Sequence, residues 1–332
     1  MATVLYDTGI NPSLIRARRV AVLGFGAQGR AQALNLKDSG VNVVVGLRAG
    51  SVSRAPAEAT GLSVAEPAVA VSKADVVVLL VPDEKQPKLY ADIIAPGLRK
   101  QGALIFAHGF NIHFKRIVPR ADLDVILVAP NGIGEQVRAQ YLEDHGVPAL
   151  VAAHQDASGR ARELALSYAW AQGHGRAGII ESSFREEAET DLFAEQAVLC
   201  GGLTHLIQAA FDTLVQAGYE PEVAYFACLH EVKLMADMIF QHGIAGMRES
   251  ISTTAEFGDY TRGPRVIGEP ARKAMREILA EIQNGQFAGE LEQELAAGLP
   301  AIKVERVRAR AQLIEKVGKT LRERMRVRGR SG

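Results

Sequence analysis

Six short runs of aliphatic and β-branched residues punctuate the first half of the chain and are missing from the second. They are VAVL (20–23), VNVVVG (41–46), DVVVLLV (75–81), ALIFA (103–107), DVILVA (124–129) and PALVAA (148–153). Each run is continuous rather than alternating, which fits strands buried on both faces, and the helical segments between them supply the covering layers. That rhythm restricts the first half to a doubly wound α/β arrangement, a parallel sheet with helices on both sides. After about Glu181 the runs stop, and from Phe184 onward long helical patterns follow, with breaks expected at Gly201-Gly202, Gly218 and Gly243. The expected division is an α/β domain over 1–181 and an all-α domain over 182–332, closely docked because no low-complexity linker separates them.

Lys plus Arg equals Asp plus Glu at 38 each, so no global field draws the chain to nucleic acid or to an anionic membrane. Arg322, Arg324, Arg326, Arg328 and Arg330 form a basic stretch at the end, without interleaved aromatics, and read as a solvated tail. Cys200 and Cys228 are the only cysteines, too few for a disulfide framework and suited to a reducing cytoplasm. The start, MATVLYDTGINPS, has no basic segment followed by an apolar run, and no uncharged stretch reads as long enough to span a bilayer. A cytoplasmic protein acting on a small molecule is the expectation.

In VAVLGFGAQGRAQALNL, Gly24, Gly26 and Gly29 form G-x-G-x-x-G directly after a strand and at the head of a helix. Glycines there permit a tight turn and let a pyrophosphate rest on the helix N-terminus, which makes this a dinucleotide site. The second strand reads on into GLRAGSVSR, with Arg48, Ser51 and Ser53 as donors, Arg54 beside them and no carboxylate for a ribose hydroxyl. Donors suit a 2′-phosphate, so NADPH is expected rather than NADH. His108, in AHGFN at the carboxyl end of a strand, is placed to act as a general acid or base, or to organise water, with Asn111 as its support. Pro130 to Gly134 form a backbone turn at the same rim.

Glu187, Asp191 and Glu195 stand four apart on one helix face, where like charges repel unless a cation joins them. The flank of Glu195 is apolar (Leu192, Phe193, Ala197, Val198, Leu199), so Asp191 and Glu195 read as a half-buried pair suited to Mg²⁺. A solvated first turn favoured by the helix dipole accounts for Glu186 and Glu187. Glu231, in the otherwise apolar YFACLHEVKLM, is expected either to complete that carboxylate site or to pair internally with Lys233 or Arg248.

GFGAQG, VVVGLR, LVPDE, FAHGFNIHF, VPALVAAHQDASG, ETDLFAEQAVLCGGLT, LHEVKL and SISTTAEFGDY run in order along nearly the whole chain. Together they resemble ketol-acid reductoisomerase in its short, class I form. The resemblance implies an N-terminal Rossmann-type domain and a knotted helical domain. It implies coupling of an Mg²⁺-dependent alkyl migration in a 2-acetohydroxy acid to NADPH reduction of the resulting keto acid. It also implies a homodimer in which the second helix and the SIS segment of each site come from the partner. By position, Asp191, Glu195 and Glu231 match metal ligands, His108 the active-site histidine and Ser252 the substrate serine. Arg48, Ser51 and Ser53 match phosphate contacts, and Gln28 and Asp83 join the glycines as cofactor residues.

Two positions depart from that family. Ala227 stands where it has a glutamate, and Asn131 where it has a lysine, in a loop that here reads PNGIGEQ, so Ile133 and Glu135 differ as well. Two Mg²⁺ ions clamp the ketol oxygens in the migration, and three carboxylates are one short of balancing two dications. The expected activity is therefore NADPH-dependent reduction of a carbonyl or imine without the standard migration. The alternatives are a working reductoisomerase whose second metal is completed by water, and a non-catalytic NADPH-binding protein.

Overall fold

The computed structural model describes residues 3–325, and it divides into two compact units between Thr190 and Asp191. In the first, nine strands form one sheet: β1 (Val4–Leu5), β2 (Arg19–Leu23), β3 (Asn42–Gly46), β4 (Ser63–Ala65), β5 (Val76–Leu79), β6 (Ala103–Phe106), β7 (Asp124–Pro130), β8 (Ala149–Gln155) and β9 (Ile179–Glu181). Their spatial order is β1-β9-β8-β7-β6-β5-β2-β3-β4. All six expected runs are strands. Three short ones at or near the edges, β1, β4 and β9, carry too few apolar residues to stand out in sequence.

Continuous apolar runs become central strands because each side of the sheet needs a core. Val20, Val22, Val76, Val78 and Ile126 feed one core, while their neighbours Ala21, Leu23, Val77, Leu79 and Leu127 feed the other. Each such fully buried valine or leucine contributes about 1.5–3 kcal/mol. The sheet is not parallel throughout, since β8 runs antiparallel to β7 and β1 antiparallel to β9. Between β7 and β8 the chain makes only the nine-residue helix Gly134–Leu142, packed on the helix Ala27–Asp38, and then reverses at Asp144 with φ 58°.

The second unit is helical. Helix Phe184–Ala194 runs through a π turn at Glu195–Leu199 into helix Gly201–Gln216, so Gly201-Gly202 do not break it as expected. Gly218 (φ 91°) does end that run, and Gly243 (φ 72°) kinks the helix Val232–Ser250. By length and composition, the run Phe184–Gln216 is apolar enough to cross a membrane, against the expectation that no such stretch exists. A small core joins Phe211, Ala224, Tyr225, Ile314 and Val317. Many large apolar side chains of this unit stay exposed, among them Phe240 at 90% and Phe257 at 64%. Arg322 is no part of a solvated tail: it donates to the Tyr225 hydroxyl at 3.0 Å. Arg326, Arg328 and Arg330 lie outside the described residues.

Candidate active site

A cleft of about 780 Å³ opens over the carboxyl ends of β2, β3, β5 and β6, where ligands sit in doubly wound sheets. Its wall holds Gly24, Gly26, Gln28, Arg48, Ser51, Ser53 and Asp83, every cofactor residue expected from sequence except Gly29, which is buried under the turn. Gly24 sits at φ 108° against the backbone of Leu80 and Val81, so a side chain is excluded on both counts. Gln28 donates to the carbonyl oxygen of Gly132 at 2.8 Å, tying the glycine turn to the loop that contains Asn131. The donors that follow β3, the open glycine turn and the size of the cleft fit a nicotinamide dinucleotide.

His108 lines the same cleft after β6. Its Nδ1 meets Glu187 Oε1 at 3.0 Å, and the Gly109 amide donates to Glu187 Oε2 at 2.5 Å. A Cβ at Gly109 would overlap the Phe184 carbonyl oxygen, so the approach of this loop to the helix depends on glycine. Glu187 is 5% exposed, which corrects its reading as a solvated first-turn acid: the dipole argument overlooked a histidine 79 positions earlier. Its four-residue spacing from Asp191 was the available signal. Asn111 is buried and ties a different loop: its amide donates to the Asp83 carbonyl oxygen at 3.0 Å and to Gln86 Oε1 at 2.9 Å. Asn131 and Ile133 are exposed beside Pro130, which lines the cleft.

The carboxylates of the second unit differ from expectation. Asp191 and Glu195 are exposed rather than half-buried, Glu231 is exposed as well, and among the described residues the three are not gathered into one metal-binding cluster. Glu231 does not take the internal pairs considered for it, since Lys233 pairs with Asp237 and Arg248 with Asp259. Ala227, also exposed, lies inside a second π turn at Phe226–His230, closed by a hydrogen bond from the Glu231 amide to the Phe226 carbonyl. Both Glu195 and Glu231 thus adjoin π turns, a feature common at functional sites. Ser252 caps the helix Thr253–Val266 by accepting from the Ala255 amide at 3.2 Å.

Residues 14–178 match the family described as acetohydroxy acid isomeroreductase, NADPH-binding domain, and residues 184–327 match ketol-acid reductoisomerase, C-terminal domain. Among solved structures, the chain is similar to an NADH-preferring ketol-acid reductoisomerase from an uncultured archean. Identity is 46%, coverage 97% of this chain and 98% of that one, and the TM-score 0.94. A semialdehyde dehydrogenase NAD-binding protein from Cupriavidus necator shares the fold at 21% identity and TM-score 0.62, over 80% of this chain and 99% of that one. A pyrroline-5-carboxylate reductase from Coxiella burnetii does so at 16% and 0.52, over 80% and 97%. With both of its domains matched in order and a cleft shaped for a nicotinamide cofactor, the chain is an oxidoreductase belonging to the ketol-acid reductoisomerase family.

Proposed function

We propose that this chain is an NADPH-dependent reductase of a carbonyl or imine that has given up the standard alkyl migration. The observation that carries the proposal is an asymmetry: the cofactor cleft and the His108–Glu187 pair are complete, while positions 227 and 131 hold Ala and Asn. Bound in the cleft, the reduced nicotinamide supplies a hydride. Arg48, Ser51 and Ser53 hold the 2′-phosphate, and the helix N-terminus after Gly26 receives the pyrophosphate. Glu187 accepts from His108 Nδ1 and orients the ring at the cleft, where the protonated imidazole gives the proton that a reduced carbonyl or imine takes up.

For Mg²⁺ the donor set fits one ion better than two. Asp191 and Glu195, one turn apart, are hard oxygen donors that would hold a first ion, where it would act as a Lewis acid. Ala227 offers no oxygen to a second. Glu231 reaches that site from a second copy of the chain, and homodimer formation would cover the exposed apolar side chains of the helical unit, Phe240 and Phe257 among them.

The experiment is NADPH consumption with 2-acetolactate, and separately with a panel of 2-keto acids and cyclic imines, each with and without Mg²⁺. Turnover of the panel without acetolactate turnover is expected. Fast Mg²⁺-dependent acetolactate turnover would instead support the second reading, a working reductoisomerase with a water-completed metal. That reading is favoured by 46% identity to one over 97% of the chain. No turnover of any substrate would leave a cofactor-binding protein without catalysis.

A further inference from the structure

We propose that Glu66 limits how strongly this cleft prefers NADPH by withholding Arg54 from it, an inference that rests on the NADPH reading above. The loop from Arg48 to Arg54 carries two arginines with different situations. Arg48 lines the cleft, and Arg54 does not. Arg54 is turned between two carboxylates, donating to Glu58 Oε1 at 3.2 Å and lying 3.7 Å from Glu66 Oε1. The other oxygen of Glu66 accepts from the Ala49 amide at 3.3 Å. One carboxylate therefore bridges both ends of the loop.

Sheet register delivers it there. β4 pairs in parallel with β3, Ala65 opposite Gly46, so the residue after β4 emerges beside the loop that follows β3. A search for a carboxylate at the end of β3 passes over it, because it comes from the next strand. Glu66 is turned to Ala49 and Arg54 and does not line the cleft. Its effect is on charge: with Glu58 it neutralises one of two cations that a 2′-phosphate would otherwise meet. These side chains are half-exposed, so each pair is weak and easily exchanged for a better partner.

Glu66→Gln keeps an oxygen for the Ala49 amide and removes the charge. In equilibrium titrations of the full chain with NADPH and with NADH, this variant is expected to bind NADPH about threefold more tightly and NADH as before. Arg54→Ala alone is expected to change little, and placed in the Glu66→Gln background it removes the gain. Glu58→Gln, which leaves the Ala49 amide alone, repeats part of the gain and serves if Glu66→Gln melts early. Unchanged NADPH affinity in both charge-removing variants, or a gain that survives Arg54→Ala, overturns the proposal. Arg48→Ala separates the two levels of inference: if it leaves NADPH binding intact, the NADPH reading fails and this proposal falls with it.

Discussion

His108 Nδ1 lies 3.0 Å from Glu187 Oε1, and the other oxygen of that carboxylate accepts from the amide of the next residue, Gly109. One buried glutamate thus fixes both the ring and the backbone that carries it. Glu187→Gln keeps the shape and removes the charge that favours the imidazolium. Turnover should drop by roughly tenfold to a hundredfold with NADPH affinity unchanged. Unchanged turnover would mean that Glu187 only braces the loop.

Reversing the charge at the cofactor loop tests the 2′-phosphate reading directly. Arg48→Asp with Ser51→Ala removes charge-assisted contacts, so NADPH affinity should fall roughly tenfold to a hundredfold while NADH affinity changes little. Equal losses for both cofactors would show that the loop does not read that phosphate.

Ala227→Glu addresses the altered carboxylate site. If that site lacks one ligand, the new carboxylate should raise Mg²⁺ affinity in calorimetric titration, and Asn131→Lys added to it should begin to restore acetolactate isomerisation. Had the pocket been rebuilt around another substrate, the glutamate would be an uncompensated charge in the assembled site. It would then cost about 3–5 kcal/mol in melting experiments that Mg²⁺ does not rescue.

If each site draws on two copies of the chain, Asp191→Ala and Glu231→Ala protein should complement one another. Random exchange makes half the dimers mixed, each with one intact site, and so returns about a quarter of wild-type turnover. No recovery after confirmed subunit exchange would place both residues in one chain's site.

His174 gives a pH test away from the cleft. It is fully buried, its Nδ1 donates to the Val147 carbonyl oxygen at 2.7 Å, and its Nε2 has no hydrogen-bond partner among the described residues. Burial lowers its pKa to about 4, against a smaller upward pull from that hydrogen bond. Because the folded pKa is depressed, the stability from neutral His174 is fully present above about pH 6.5 and is lost as pH falls toward 4. The loss is on the order of 3 kcal/mol. Denaturant melts across that range should be flatter for His174→Gln.

What was legible in the sequence was what is local. Buried strands announce themselves as continuous apolar runs, and the glycine turn with Arg48, Ser51 and Ser53 lies within one supersecondary unit, so its residues meet in one cleft. The edge strand β4 was missed because three residues carry little pattern, and with it went the means to see Glu66. Glu187 was misread because its partner is distant in sequence and near in space. Asp191 and Glu195 were expected half-buried from apolar neighbours, but in a single chain some of those neighbours are exposed too, Val198 at 52% and Leu199 at 60%. Amphipathic pattern tells that a face will be covered and not by which chain.

The π turns at Glu195–Leu199 and Phe226–His230 have a consequence for how this sequence tolerates change in length. A π turn holds one residue more than the α-helix around it, and one residue is about 100° of helical rotation. Deleting a single residue inside either turn would cost little locally, since the backbone would relax to ordinary α geometry. Because the extra residue is taken up within the turn itself, the helix downstream would keep its facing. A one-residue deletion is therefore absorbed at either π turn, whereas the same deletion in the regular helix beside it rotates everything that follows by about 100°.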